Sequence, residues 1–141
     1  LIDLDGHIKL TDFGLCKIGM EEDEQTYSFC GSPEYMAPEV VSKKGYGYPV
    51  DFYTLGAFLF EIMVGLPPFY SKNQDEMLAA IQHGNLNIPD YLSANLKDLL
   101  KKLLTRDLNK RIHSFQEIYE HPWLKGVNWN AYYNKEVAAP I

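Results

Sequence analysis

The strongest constraint on this fold lies at residues 50–64, a run from Val50 through Phe52, Leu55, Phe58 and Ile62 to Val64 that is apolar at nearly every position. The Gly45/Gly47/Pro49 loop precedes it, and Gly65 with Pro67-Pro68 stops it as a helix. A helix apolar all round belongs in a core or in a membrane. At 1.5 Å per residue this one reaches about 22 Å, short of the ~30 Å bilayer interior, and it carries Asp51 and Glu61. The run therefore predicts a helix buried on every side of a globular body, with no membrane span. A chain of 141 residues is one domain or a piece of a larger one. Hydrophobic residues at 46% and aromatics at 13% suffice for a core and exclude wholesale disorder.

The flanks of that helix read differently. Leu1-Ile2-Asp3-Leu4, Asp5-Gly6 and His7-Ile8-Lys9-Leu10 form a hairpin pattern with a two-residue Asp-Gly turn. Residues 14–35 hold Gly19, Gly31, Pro33 and the acidic run Glu21-Glu22-Asp23-Glu24, with no periodicity. That is a long loop, and such loops are functional or mobile. A short helix is expected over 37–42, and a weakly amphipathic one over 73–83 with Met77, Leu78 and Ile81 on one side. Leu96, Leu99, Leu100, Leu103 and Leu104 follow helical spacing behind a capping Ser93. Ser114 with Glu117 opens a short last helix as a capping box. The fold class is α+β: one hairpin, one loop, then helices.

Charge and cysteine content narrow the function. Thirteen basic against 19 acidic residues give a net charge of −6, which argues against general nucleic-acid binding. Cys16 and Cys30, the two cysteines, cannot staple a secreted scaffold; they are expected as reduced thiols, the alternative being a regulatory disulfide closing the loop between them. His7, His83, His113 and His121 lack metal-ligand spacing, so no zinc site is expected. The chain begins at Leu1, inside an apolar run and without Met, so further sequence is expected upstream.

Thr11-Asp12-Phe13-Gly14 follows the hairpin. A carboxylate at a strand end with a flexible glycine behind it can hold a hard cation such as Mg²⁺. Met36-Ala37-Pro38-Glu39 comes 22 residues after Gly14, preceded by Ser28-Phe29-Cys30-Gly31-Ser32-Pro33-Glu34-Tyr35. Asp51-Phe52-Tyr53-Thr54-Leu55-Gly56 opens the apolar helix, Gly65-Leu66-Pro67-Pro68-Phe69 closes it, and Arg111 follows the leucine-rich helix. In that order, over essentially the whole chain, these residues resemble the C-terminal lobe of a eukaryotic protein kinase. Residues 29–39 are similar to the AGC group of Akt-like and cAMP-dependent kinases. The resemblance implies a protein kinase-like fold, a partial catalytic domain over 1–125 and the start of the AGC tail at 126–141, on the likeness of Lys135-Glu136-Val137-Ala138-Ala139-Pro140-Ile141.

The same resemblance implies roles. Asp12 would be the Mg²⁺ ligand facing the ATP phosphates, Phe13 a core plug beside it whose packing sets the loop position, and Gly14 a structural support of the site. Leu1 would contact the adenine ring or serve as ordinary strand core. Ser28 would be the activating phosphosite, where a phosphate adds about two negative charges and recruits cations such as Lys17. Phe29, Ser32, Pro33 and Met36 would form the substrate platform. Glu61 would bind a substrate arginine or pair internally. Glu39 and Arg111 would form a buried ion pair, and Asp51 would hold the catalytic-loop backbone.

The glycine-rich loop, the strand lysine and the catalytic loop with its base Asp do not occur in this chain, so it holds no catalytic base of its own and would not transfer phosphate alone. The implied function of the complete parent is ATP- and Mg²⁺-dependent phosphorylation of protein Ser/Thr, in basic contexts and in the cytoplasm, after activation by an upstream kinase. The alternative is a non-catalytic binding module of pseudokinase type.

Overall fold

The computed structural model describes residues 1–21 and 24–139; Glu22 and Asp23 of the acidic run, and Pro140 and Ile141 of the tail segment, lie outside the described residues. At the N-terminus Ile2 and Ile8 form an antiparallel bridge, flanked by Asp3 N–H to the His7 carbonyl at 2.8 Å and Lys9 N–H to the Leu1 carbonyl at 2.8 Å. The connection is not the expected two-residue turn. Gly6 N–H reaches the Asp3 carbonyl at 3.0 Å, so Leu4, Asp5 and Gly6 form a three-residue loop. The Asp3 carboxylate accepts from the N–H groups of Asp5 at 3.1 Å and His7 at 2.8 Å, which stabilises a type I turn. Gly6 alone takes the left-handed conformation, φ 79°, as such a loop requires.

Six α-helices occur among the described residues: α1 (Pro38–Val41), α2 (Pro49–Val64), α3 (Gln74–His83), α4 (Ala94–Leu103), α5 (Phe115–Tyr119) and α6 (Trp129–Tyr133). Their ends follow the local chemistry. Asn73 caps α3 through the N–H groups of Asp75 and Glu76, and Ser93 caps α4 through Leu96 N–H at 3.3 Å. The Ser114 hydroxyl accepts from Glu117 N–H at 3.3 Å, while the Glu117 carboxylate accepts from His113 N–H at 3.3 Å, one residue beyond the usual reciprocal partner. Helix α2 ends at Gly65, φ 95°, where a left-handed residue is favoured. Helix α6 is an addition to the sequence reading, in which α5 was the last helix. It has too few residues to show periodicity, and it is held by an Asn128 cap and by Trp129 packed on Tyr119 at 4.5 Å.

Helix α2 is the axis of the body, but it is not buried on every side. Phe52, Tyr53, Gly56, Ala57 and Phe60 face inward, whereas Leu55, Phe58, Ile62 and Met63 are exposed. No described element lies over that second face. The inward face packs on the leucine stripe of α4, and there Gly56 is essential: a Cβ at this position would stand 2.7 Å from the Leu103 Cβ. One core joins Met36, Ala37, Val40, Tyr53, Phe60 and Leu100, and a second joins Phe52, Leu99, Leu103, Ile112 and Ile118. Arg106 fastens α3 by donating from Nε to the Ile81 carbonyl at 2.8 Å and from a terminal nitrogen to Ala80 at 3.0 Å and Gly84 at 2.5 Å. A cation on the carbonyl end of a helix is the favourable sense of its dipole.

Candidate functional site

Asp12 stands where the hairpin meets the long loop, with φ 61° and ψ 66°. For a residue other than glycine this left-handed conformation costs roughly 1 kcal/mol. Its carboxylate is exposed and has no hydrogen-bond or ion-pair partner among the described residues. A Cβ at Gly14 would stand 3.5 Å from Asp12 Oδ1, an ordinary van der Waals contact. A free, hard oxygen donor of this kind suits Mg²⁺, which keeps several waters and takes only one or two protein carboxylates. No cluster of three or more acidic, His or Cys side chains suited to a metal occurs among the described residues, so Asp12 would be this chain's contribution.

The neighbours of Asp12 correct two expectations. Phe13 is 60% exposed and plugs no core here, because no described apolar side chains surround it; it only opens the 3₁₀ turn Phe13–Leu15. Leu1 is 81% exposed, which removes its reading as ordinary strand core.

The long loop is anchored to the body by single polar contacts. Thr26 bridges Tyr46 in antiparallel fashion, with both N–H···O bonds at 2.9 Å. The Tyr46 hydroxyl donates to the Ser28 carbonyl at 2.7 Å, and Cys30 Sγ lies 3.9 Å from the same hydroxyl. Burial, with the Cys30 thiol beside it, raises the Tyr46 pKa. The half-buried Ser28 is thus fixed through its backbone, which leaves its own hydroxyl out of the anchor. Lys43, itself at φ 55°, holds its ammonium 5.4 Å from the centre of the Phe29 ring.

The expected platform residues are only partly brought together. Ser32, Met36 and Asp51 line one cleft of about 660 Å³, together with Lys17, Cys16 and Cys30, both cysteines being free thiols. Phe29 and Pro33 are not part of that lining. Met36 is buried and belongs to the core, so it supports the cleft from beneath. Asp51 enters the cleft without a carboxylate partner among the described hydrogen bonds, and desolvation by its apolar surroundings raises its pKa. Glu61 accepts a short hydrogen bond from the Tyr35 hydroxyl, and this bond is what mainly raises the Tyr35 pKa. In this structure Glu61 therefore pairs internally.

The platform ends in a buried clamp. Arg111 donates to both carboxylate oxygens of Glu39, at 2.5 and 3.0 Å, with its side chain fully enclosed. Two of its three remaining N–H groups are also used: Nε donates to the Thr105 carbonyl at 3.0 Å and a terminal nitrogen to the Pro49 carbonyl at 3.3 Å. The guanidinium lies 5.0 Å from the Tyr53 ring centre. A planar fork is suited to this task, and a lysine would not be. Residues 72 positions apart are so joined, tying α1 to the start of α2 and to the segment after α4. Tyr46, Tyr35, Tyr53 and Arg106 escaped the sequence reading. A lone tyrosine or arginine, in a loop or in a helix, carries no local signal of what its tip will meet.

Hairpin, acidic strand end, long loop and clamped helical body together make the C-terminal lobe of a kinase-like fold. Residues 1–124 match the protein kinase domain. The chain is 47% identical over 139 residues to Protein kinase 2 of Dictyostelium discoideum, covering 97% of this chain and 29% of that protein. It is 45% identical over 144 residues to human Serine/threonine-protein kinase Sgk2, covering 100% and 39% respectively. Against Ribosomal protein S6 kinase beta of Caenorhabditis elegans the identity is 43% over 145 residues, covering 100% and 26%. The chain belongs to the protein kinase family, and its relatives are AGC-type serine/threonine kinases. It spans about a quarter to two-fifths of the length of these relatives. No described helix is long and apolar enough to cross a membrane.

Proposed function

We propose that the complete parent protein transfers the γ-phosphoryl group of ATP to Ser or Thr hydroxyls of proteins, and that this chain supplies a metal ligand, the activation segment and the substrate platform. The observation that carries the reading is Asp12, a carboxylate held in a strained backbone conformation, exposed and left without a protein partner. Strain that the surrounding fold maintains around a free polar group is a pointer to function. Mg²⁺ bound there would neutralise charge on the ATP phosphates, and catalysis of this reaction rests mainly on positioning and electrostatics.

The remaining residues act around that centre. Leu1 flanks the nucleotide. Ser28 is the phosphosite for an upstream kinase, and its phosphate draws Lys17 and draws the loop into order. Phe29, Ser32 and Pro33 receive the peptide around the acceptor hydroxyl over the Met36 floor. Glu61 gives up Tyr35 to take a substrate arginine, the source of a basic preference. Asp51 receives backbone N–H groups from the catalytic loop of the parent, which also brings the base Asp; the present chain without them is inactive.

The test is Asp12→Asn in the complete parent, assayed for ³²P transfer to a basic Ser/Thr peptide. Transfer is expected to fall at least about 100-fold. An Asn variant as active as the wild type overturns the reading. A wild-type parent that binds partners but transfers nothing favours the non-catalytic module.

A further inference from the structure

We infer that the connection between α1 and α2, residues 43–48, is a pairing strand that orders the activation segment around Ser28 before any phosphate is added, and that phosphorylation of Ser28 acts on that same order. The inference rests on the reading of Ser28 as the activating phosphosite.

The contact is built from both sides. Thr26 and Tyr46 exchange both of their backbone hydrogen bonds, each at 2.9 Å, as a hydrogen-bonded pair of an antiparallel ladder does. Side chains alternate along an extended segment, so Gln25 and Tyr27, the neighbours of Thr26, share a face. Both close over Gly45, where a Cβ would stand 2.6 Å from Gln25 Oε1 and 2.8 Å from Tyr27 Cε1. At Gly47 a Cβ would stand 3.1 Å from the Glu24 carbonyl oxygen. Gly45-Tyr46-Gly47 is therefore bare where the activation segment crosses it, with one long side chain between. That side chain makes the third attachment, its hydroxyl donating to the Ser28 carbonyl at 2.7 Å. A slip of one residue would turn Gln25 and Tyr27 to the other face and carry Ser28 away from the hydroxyl, so the register is specified.

The pairing strand is itself held at both ends by the buried clamp. Arg111 donates to the Glu39 carboxylate in α1 and to the Pro49 carbonyl at the start of α2, so residues 43–48 span two points fixed by one guanidinium. Tyr46 also packs against the core that contains Tyr53 and Leu100. The activation segment is thus paired to the rigid part of the molecule while Ser28 is unmodified. A phosphate on Ser28 adds about two negative charges and orders a loop by recruiting cations. Pairing and phosphate then bias one equilibrium between an ordered and a released segment. Once either bias holds the segment almost wholly ordered, loss of the other changes little.

The experiment uses the complete parent protein, once treated with phosphatase and once phosphorylated on Ser28. Thr26→Pro removes the N–H that donates to Tyr46, whereas Thr26→Val keeps that N–H and removes only the hydroxyl. Gly45→Ala attacks the pairing from the other side. Each variant is read on the strand it does not alter: hydrogen exchange over 44–48 for the Thr26 variants, and over 24–28 for Gly45→Ala. Phosphate transfer to a basic Ser/Thr peptide is read second. In the phosphatase-treated form Thr26→Pro and Gly45→Ala are each expected to speed exchange about tenfold and to lower transfer about fivefold, the scale of one or two lost hydrogen bonds. Combined, they should lower transfer no further, since one pairing is lost only once. In the phosphorylated form transfer should change less than about twofold, because the phosphate supplies the same order. Thr26→Val should match wild type throughout. Unchanged exchange over 44–48 in Thr26→Pro overturns the pairing. Faster exchange with transfer lowered as much or more in the phosphorylated form, or in neither form, overturns its part in activation. If phosphorylation of Ser28 itself leaves transfer unchanged, the phosphosite reading fails, while the exchange results still decide the pairing.

Discussion

From Met36 to Ile118 the chain buries a continuous series of apolar side chains, whereas none of the described residues in 1–35 is buried. The first region is held by area, each fully buried Leu, Ile or Phe contributing about 1.5–3 kcal/mol. The second is held by individual polar contacts: Tyr46 to Ser28, Tyr35 to Glu61, Lys135 to Asp3. A hydrogen bond of this kind contributes only about 0.5–1.5 kcal/mol net. The metal-ligand candidate and the phosphosite candidate both lie in the second region. What can be moved by one phosphate or one ion is therefore attached, through Tyr46–Ser28 and Tyr35–Glu61, to what cannot, a body whose own helices are tied together by the Glu39–Arg111 clamp.

The comparison is broken most forcefully at that clamp. Arg111→Ala in the complete parent leaves Glu39 charged and buried, and should cost about 3–5 kcal/mol in denaturant unfolding. Replacing both partners by methionine should recover most of that loss. A cost below about 1 kcal/mol would mean that the body does not depend on this pair. Gly56→Ala is next in size. Its new methyl meets Leu103 on the facing helix, and overpacking there should cost about 1–3 kcal/mol, read as a fall in melting temperature. Tyr46→Phe has the smallest effect and sharpens the comparison most. It removes the bond to the Ser28 carbonyl while keeping the ring, so proteolysis within 15–30 should quicken about fivefold with the global melting temperature unchanged. A global fall instead would show that the loop belongs to the cooperative core.

Much of the helical body was legible in the sequence. The leucine spacing of α4, the Ser caps of α4 and α5, and the Gly-Pro-Pro stop of α2 are local signals, and the structure follows them, whereas the Asn73 cap of α3 and the Pro49 start of α2 escaped the sequence reading. The kinase resemblance pointed to Glu39 and Arg111 as a pair, and they meet with bidentate geometry. The rest failed for particular reasons. The Asp5-Gly6 turn lengthened by a residue because the Asp3 side chain captured His7 N–H, a competition that residue type alone does not rank. Helix α6, five residues long, has no period to detect. The resemblance implied Phe13 as a core plug, yet it lies in the region where the described chain offers nothing to cover it.

What the sequence determined by itself is therefore local or ordered: which segments are helical, where they stop, which face of α4 is apolar, and the series of kinase-type motifs from Asp12 to Arg111. Tertiary structure decided which side of the uniformly apolar α2 is buried, that Glu61 meets Tyr35, that Tyr46 fixes Ser28 and that Lys135 reaches Asp3. The physical reason is range. Periodicity and capping act within a few residues of the backbone, but a hydrogen bond from a side chain to a group 18 to 132 positions away exists only once packing has fixed both ends in space.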